Sequence, residues 1–257
     1  MKRDLFLCTF TENALPIIKE LEIGMESNHF CISKSLDEEV VDRTIFQIKQ
    51  DMKFCGITDP KKVFVHGPFT EIYPQGIDRS IVQAGKKRLE QAFEACTRLG
   101  LKRMVVHSGF LPIMYFDTWH IERSVDFWSE YMRNKPADFN IFIENVFDPD
   151  PAPLVEIVEK IDDPRVKLCL DVGHANAVTL DKSVYCWIKS MGRHIGHFHL
   201  HNNDGTCDSH DPIDKGSLDM EKLLAYMDDY CDKDATVTVE SRRTGDEIKW
   251  LLQRLSD

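Results

Sequence analysis

Nine side chains able to ligate a divalent cation stand at the ends of short apolar runs. His66 closes VFVH and His107 closes RMVVH. Glu144 closes IFIE, and Asp171 and His174 stand together in LCLDVGH. His199 lies in HFHLHN, Asp208 and His210 in the DSH that follows it, and Glu240 at the end of VTVE. Taken singly, a strand-end histidine is usually a hydrogen-bonded structural residue, and a rim carboxylate is solvated. As a set they ask for more. Glu144, Asp171 and Glu240 each interrupt or end an apolar run, where an unpaired carboxylate costs several kcal/mol in lost hydration. A cation among them removes that cost, and a mixed imidazole–carboxylate set suits Zn²⁺ or Mn²⁺.

Such residues act together only if the fold brings them to one place. Eight apolar runs read as strands: DLFLCTF, a weaker ELEIGM, VFVHGPF, RMVVHSGF, NIFIENVF, VKLCLDVGH, GHFHLHN and TVTVES. Helical patterns lie over 13–19, 36–54, 78–99, 118–134, 152–161, 182–191, 218–230 and 245–255. This alternation predicts an α/β chain forming a single (β/α)8 TIM barrel. An open doubly wound sheet shares the alternation, but no GxGxxG follows the first strand. In a barrel the carboxyl ends of the strands converge on one mouth, which would collect all nine candidates. Period-two alternation puts His197 one layer below His199 as a core residue, and His201 nearer the rim against substrate. Lys215, Arg242 and Arg243 follow the last two strands, where barrels frequently hold phosphate. Glu12, Phe69 and Trp119 are further candidates to line the mouth.

The 257 residues suit one barrel domain spanning 1–257, and no Gly/Ser linker divides them; FDPDPAP is short enough for a βα loop. Lys and Arg total 32 against 43 Asp and Glu, a net charge of −11. That balance speaks against a broad basic surface for nucleic acid or anionic lipid. No apolar run approaches the roughly 20 residues needed to cross a bilayer. The opening MKRDLFLCTFTEN reads as a first strand, not a signal peptide. The eight cysteines are scattered without a CxxC, the usage of reduced thiols in a cytoplasmic protein.

The order of these strand-end motifs, above all LDVGHAN and HLHNNDG followed by DSH, resembles the xylose-isomerase-like TIM-barrel superfamily. The resemblance covers nearly the whole chain and is closest to the sugar phosphate isomerase/epimerase group. In the epimerases and related isomerases it implies one ion on Glu144, Asp171, His199 and Glu240. The two glutamates there act as acid and base, and His174 contacts substrate. The endonuclease IV pattern implies a three-zinc cluster that adds His66, His107, His174, Asp208 and His210. DSH stands here where the simplest epimerase pattern has an Arg.

Two enzymatic readings follow, with one to three Zn or Mn ions. The first is an isomerase or epimerase of a small sugar or sugar phosphate, moving a proton through an enediolate, with His201, Lys215 and Arg242 as substrate contacts. The second is an endonuclease IV-like phosphodiester hydrolase acting on abasic DNA. A non-catalytic sugar-binding barrel is a third, and the intact ligand set speaks against it. Short acidic mouth loops such as FDPDPAP and NNDGTCDSHD favour the sugar reading over the nuclease.

Overall fold

The computed structural model describes residues 3–179 and 183–256. Eight parallel strands close into a barrel in chain order. They are β1 (Leu5–Cys8), β2 (Gly24–Ser27), β3 (Val63–His66), β4 (Arg103–His107), β5 (Asn140–Glu144), β6 (Val166–Asp171), β7 (Ile195–Leu200) and β8 (Thr236–Val239). The helices are α1 (Ala14–Leu21), α2 (Glu38–Cys55), α3 (Arg79–Leu99), α4 (Asp117–Met132), α5 (Ala152–Ile161), α6 (Val172–Val178), α7 (Val184–Met191), α8 (Met220–Tyr230) and α9 (Glu247–Ser256). No helix among the described residues is long and apolar enough to cross a membrane. All eight cysteines are unpaired.

Local chemistry sets the boundaries. Asp78 caps α3 by accepting from Ser80 N at 2.8 Å, and Gly100 ends it in the left-handed region at φ 73°. Two expectations shift. α1 runs on to Leu21 and the strand after it is Gly24–Ser27, which shares Gly24 and Met25 with the ELEIGM run and ends two residues past it. Glu22, at φ 54°, breaks the helix there. The run VGHANAV is not the tail of a strand: Asp171 accepts from His174 N at 2.7 Å and starts the short helix α6. Among the described residues that helix is a ninth, beyond the eight expected. The pattern over 182–191 begins at Lys182, outside the described residues; the helix there is described from Val184.

The strands separate two apolar regions. Between the barrel and the helices lies the larger, where the indoles of Trp128 and Trp187 are fully buried. Inside the barrel a small aromatic plug of Phe6, Phe64, Val105, Phe142 and Cys169 fills the lower part. Phe6 and Phe64 meet edge to face at 5.0 Å. The Arg103 guanidinium lies over Phe64 at 4.0 Å and Phe6 at 5.1 Å. His197 stacks on Phe64 at 4.1 Å, in the lower layer expected for it. This plug is the floor beneath the mouth.

Gly24 makes the plug possible. A Cβ there would lie 2.1 Å from Phe6 Cδ1, inside the ring's own volume. Gly24→Ala should therefore lower stability in urea unfolding by about 1–3 kcal/mol, the usual cost of overpacking. Pairing it with Phe6→Leu should recover part of that loss, read as a coupling energy in a double-mutant cycle.

Candidate metal centre

Strand register delivers the ligands. His107 on β4 lies opposite Glu144 on β5, and Asp171 on β6 opposite His199 on β7. Their side chains turn into the barrel just above the aromatic plug. Glu144, Asp171 and His199 are fully buried, and Glu240, just past β8, is nearly so.

Five overlapping groups of donors result among the described residues, and three of them contain all nine ligand candidates. In the first, Glu144, Asp171, His199 and Glu240 each offer an atom within 4.8 Å of the others. His199 Nδ1 lies 3.1 Å from Glu144 Oε1, 3.0 Å from Glu240 Oε2 and 3.8 Å from Asp171 Oδ2. A second group joins His66 and His107 to Glu144, with their Nε2 atoms 3.3 and 3.4 Å from its Oε2. The third gathers His174, His201, Asp208 and His210. Asp208 Oδ2 lies 3.3 Å from His174 Nε2 and 3.2 Å from His210 Nε2. His174 Nδ1 is 3.4 Å from Glu144 Oε1, so Glu144 touches all three groups.

Four of the imidazoles are fixed from behind. His66 Nδ1 donates to Gly67 O at 3.0 Å, His174 Nδ1 to Asn145 O at 2.9 Å, and His210 Nδ1 to Glu240 O at 2.7 Å. A backbone carbonyl accepts only, so in each ring Nε2 is left facing the centre. His199 is turned the other way: its Nε2 meets Glu26 Oε1 at 3.0 Å and its Nδ1 points inward. A carboxylate behind a ligating imidazole fixes the tautomer and raises the ring's basicity. Glu26 is itself fully buried and accepts from Thr238 Oγ1 at 2.5 Å. His210 sits at φ 51°, uncommon for a non-glycine residue. Arg242 N holds it there by donating to its carbonyl at 2.9 Å.

Charge compensation is the dominant electrostatic fact. Burial would raise Glu144, but the imidazoles of His199, His107 and His174 outweigh it and hold its carboxyl well below the ordinary range. Burial likewise opposes the low value of Asp171, which His174 and His201 bring to about 2. Burial works against charge on His199 and on His174, and the surrounding carboxylates override it, raising both well above the ordinary value. Burial also lowers His210, but Asp208 and Glu240 bring it up to about 9. His107 goes the other way: burial takes it to about 3, with Glu144 countering only in part. Without a metal, then, protons on the histidines balance the carboxylates.

The donor set fits a divalent ion. Glu144 Oε2 and Asp171 Oδ2 are buried without a hydrogen bond, lone pairs that face only neighbouring ligand atoms. The third group opens onto a cavity of about 550 Å³ lined by Phe10, Ile32, Phe69, Val146 and Arg242 among others. Not every expected residue lines it. His201 is fully buried below the rim; its Nε2 lies 3.0 Å from Asp171 Oδ1 and its ring stacks on His210 at 4.0 Å. Gly173 lets it in, since a Cβ there would lie 1.9 Å from His201 Cε1. Lys215 stands in solvent, paired with Asp214 at 2.6 Å and away from the cavity. Arg243 pairs with Glu12 at 3.1 Å, both exposed. Trp119 lies in the groove between α3 and α4, its indole donating to Gln75 O at 2.8 Å.

Glu26 and Asn145 were not among the expected site residues. Glu26 interrupts the apolar run IGMES as the other buried carboxylates interrupt theirs, a signal hidden by ending the strand at Met25. Asn145 follows Glu144; it donates to Asp171 O at 3.0 Å and accepts from Asp171 N at 2.9 Å, tying β5 to β6.

Comparison with known proteins agrees with this architecture. The family model described as xylose isomerase-like TIM barrel matches residues 21–255. Protein MJ1311 of Methanocaldococcus jannaschii is 24% identical over 237 residues, covering 89% of this chain and 76% of its own. The crystal structure of a D-tagatose 3-epimerase-like protein superposes with a TM-score of 0.75 at 19% identity, covering 98% of this chain and 97% of that one. The structure of an IolI protein with a zinc atom superposes with a TM-score of 0.70 at 17% identity, covering 98% and 95%. At these identities the structural likeness establishes the barrel.

Because metal must displace the protons on His174, His199 and His210, zinc titration at pH 7.5 should release protons, detectable with a pH indicator in weak buffer. Affinity should fall as pH is lowered, because these rings then hold their protons against the metal. Glu26→Gln keeps the shape behind His199 but removes the charge. It should weaken zinc binding by about 10–100-fold in competition with a chromogenic chelator.

Proposed function

The chain belongs to the xylose isomerase-like TIM barrel family, and from that premise we propose a divalent-metal-dependent isomerase or epimerase of a small sugar or sugar phosphate. The observation that carries this reading is the convergence of two carboxylates on one donor group. Glu144 and Glu240 reach the same His199 Nδ1 from β5 and from the end of β8, three strands apart round the barrel. An ion on Glu144, Asp171, His199 and Glu240 would supply Lewis-acid polarisation of a substrate carbonyl. The carboxylates do the rest. Glu240 removes the proton from the carbon beside that carbonyl. In an isomerisation it returns that proton to the neighbouring carbon as the hydroxyl proton passes to the former carbonyl oxygen. In an epimerisation it gives the proton up to solvent while Glu144 takes one from solvent and delivers it to the opposite face. His174 Nε2 and Arg242 border the cavity, placed to bind hydroxyl or phosphate oxygens.

Cavity size and charge support a small substrate. About 550 Å³ accommodates a monosaccharide or its phosphate, and Arg242 is the one Lys or Arg among the described lining residues. A duplex needs many more phosphate contacts. The eight unpaired cysteines support a reducing, cytoplasmic setting, and the continuous barrel supports one domain over residues 1–257.

A second reading, metal-assisted phosphoester hydrolysis, is favoured by the two further donor groups that meet at Glu144. Adjacent ions clamp the attacking and leaving oxygens of such a reaction. The readings differ in stoichiometry: one tightly held ion suits proton transfer, and a filled cluster of three suits hydrolysis.

Incubation of metal-loaded protein in D₂O with ketoses, ketose phosphates and inososes should place deuterium on the carbon beside the carbonyl of the true substrate. Glu240→Gln should reduce that exchange by about 100-fold or more while most of the metal is retained. Cleavage of abasic-site duplex or other phosphodiesters, with no exchange across the sugar panel, would overturn the isomerase reading and promote the hydrolytic one.

A further inference from the structure

A side cleft of about 230 Å³ adjoins the metal-centre cavity, and Phe69, His107 and Val146 face both. Phe69 lies flat on the His107 ring, centroids 4.6 Å apart and planes 10° apart, forming a sill between them. Beyond the sill the walls are Ile72, Tyr73, Phe110, Leu111 and Phe147, supplied by the loops after β3, β4 and β5. Besides His107, the polar side-chain groups are those of Thr70, Glu71 and Tyr73. Phe147 is 54% exposed although it borders a cleft continuous with a polar site.

An unsubstituted sugar uses neither the extra room nor these walls. Its hydroxyls would give up water there for few hydrogen-bond partners, whereas an apolar group gains by transfer from water. We infer that the substrate is a hydroxylated or phosphorylated compound bearing an aryl or short alkyl substituent, as in a glycoside or ester, and that this substituent occupies the side cleft. The polar end lies over the donor groups and the substituent crosses the Phe69–His107 sill. Phe147 and Leu111 are then specificity-determining residues with no part in the proton transfer. The inference rests on the proposed metal-centred reading for the position of the polar end only.

Hydroxamates test it, because their head group binds a protein-held zinc whatever the reaction. With zinc-loaded protein, calorimetry should show the best of a series of phenylalkyl hydroxamates binding about tenfold or more tightly than acetohydroxamate. Phe147→Ala and Leu111→Ala should erase most of that gain and leave acetohydroxamate binding unchanged. Equal affinity across the series, or a gain indifferent to both substitutions, overturns the cleft assignment while the metal centre stands. If acetohydroxamate itself does not bind, the metal-centred reading fails, and the cleft is decided by the Leu111 methyl resonances with 3-phenylpropanol. A shift that Phe147→Ala abolishes upholds the apolar subsite; no shift overturns it.

Discussion

Four carboxylates, Glu26, Glu144, Asp171 and Glu240, are buried within the upper half of one small barrel. Isolated anions cannot persist there, because loss of hydration costs more than the fold can supply. The histidines answer that constraint. Glu144 alone is approached by His66, His107, His174 and His199. The arrangement is stable as ion pairs when His174 and His199 are protonated, with His107 neutral beside them, and as ligand sets when a cation takes the protons' place. Structural and chemical roles are thus two occupancies of one charge balance, which is why four of the imidazoles are fixed from behind as well as from the front.

The floor makes that balance possible at such depth. His197, drawn down to about 4 by burial despite its bond to Glu26, is neutral at ordinary pH. It stacks on Phe64 and meets Thr236 Oγ1 at 2.6 Å and Thr238 Oγ1 at 2.9 Å. It therefore forms the boundary layer, with an aromatic face below and hydrogen-bonding edges above. Glu26 spans the same boundary, reaching His197 on one side and His199 on the other. Register on β7 decides these roles, since alternate residues of one strand take successive layers of the interior.

Much of this was readable from residues 63–240. Apolar runs ending in His66, His107, Glu144, Asp171 and Glu240 mark strand ends directly, because a barrel strand is buried on both faces until it reaches the mouth. β2 was harder. Its four residues, GMES, carry neither a β-branched side chain nor a long apolar run, and the amphipathic pattern of α1 runs into them. Glu26 was lost with it. His201 shows a different limit: period two places its ring on the inner face, but the gap at Gly173 that draws it beneath the rim depends on a residue 28 positions away. Lys215 shows another, since proximity in sequence to β7 says nothing of which way a long loop carries it. The chain itself gives no periodic signal for the cavity walls, which come from irregular loops.

The loops at the mouth are tied across the two ends of the chain. Thr11 Oγ1 donates to Ser241 O at 2.7 Å, Glu12 N to Arg242 O at 2.9 Å, and Arg242 N to His210 O at 2.9 Å. The rim is therefore a closed belt with its clasp between the first βα unit and the last. Ligands drawn from residue 66 through residue 240 lie inside that belt, so an ion bound there acts as a cross-link over most of the polypeptide. Contacts of such long sequence separation form late, after the loop-closure entropy has been met. A fragment that lacks the end of the chain would lack Glu240, and with it one donor of the group that Glu144, Asp171 and His199 form.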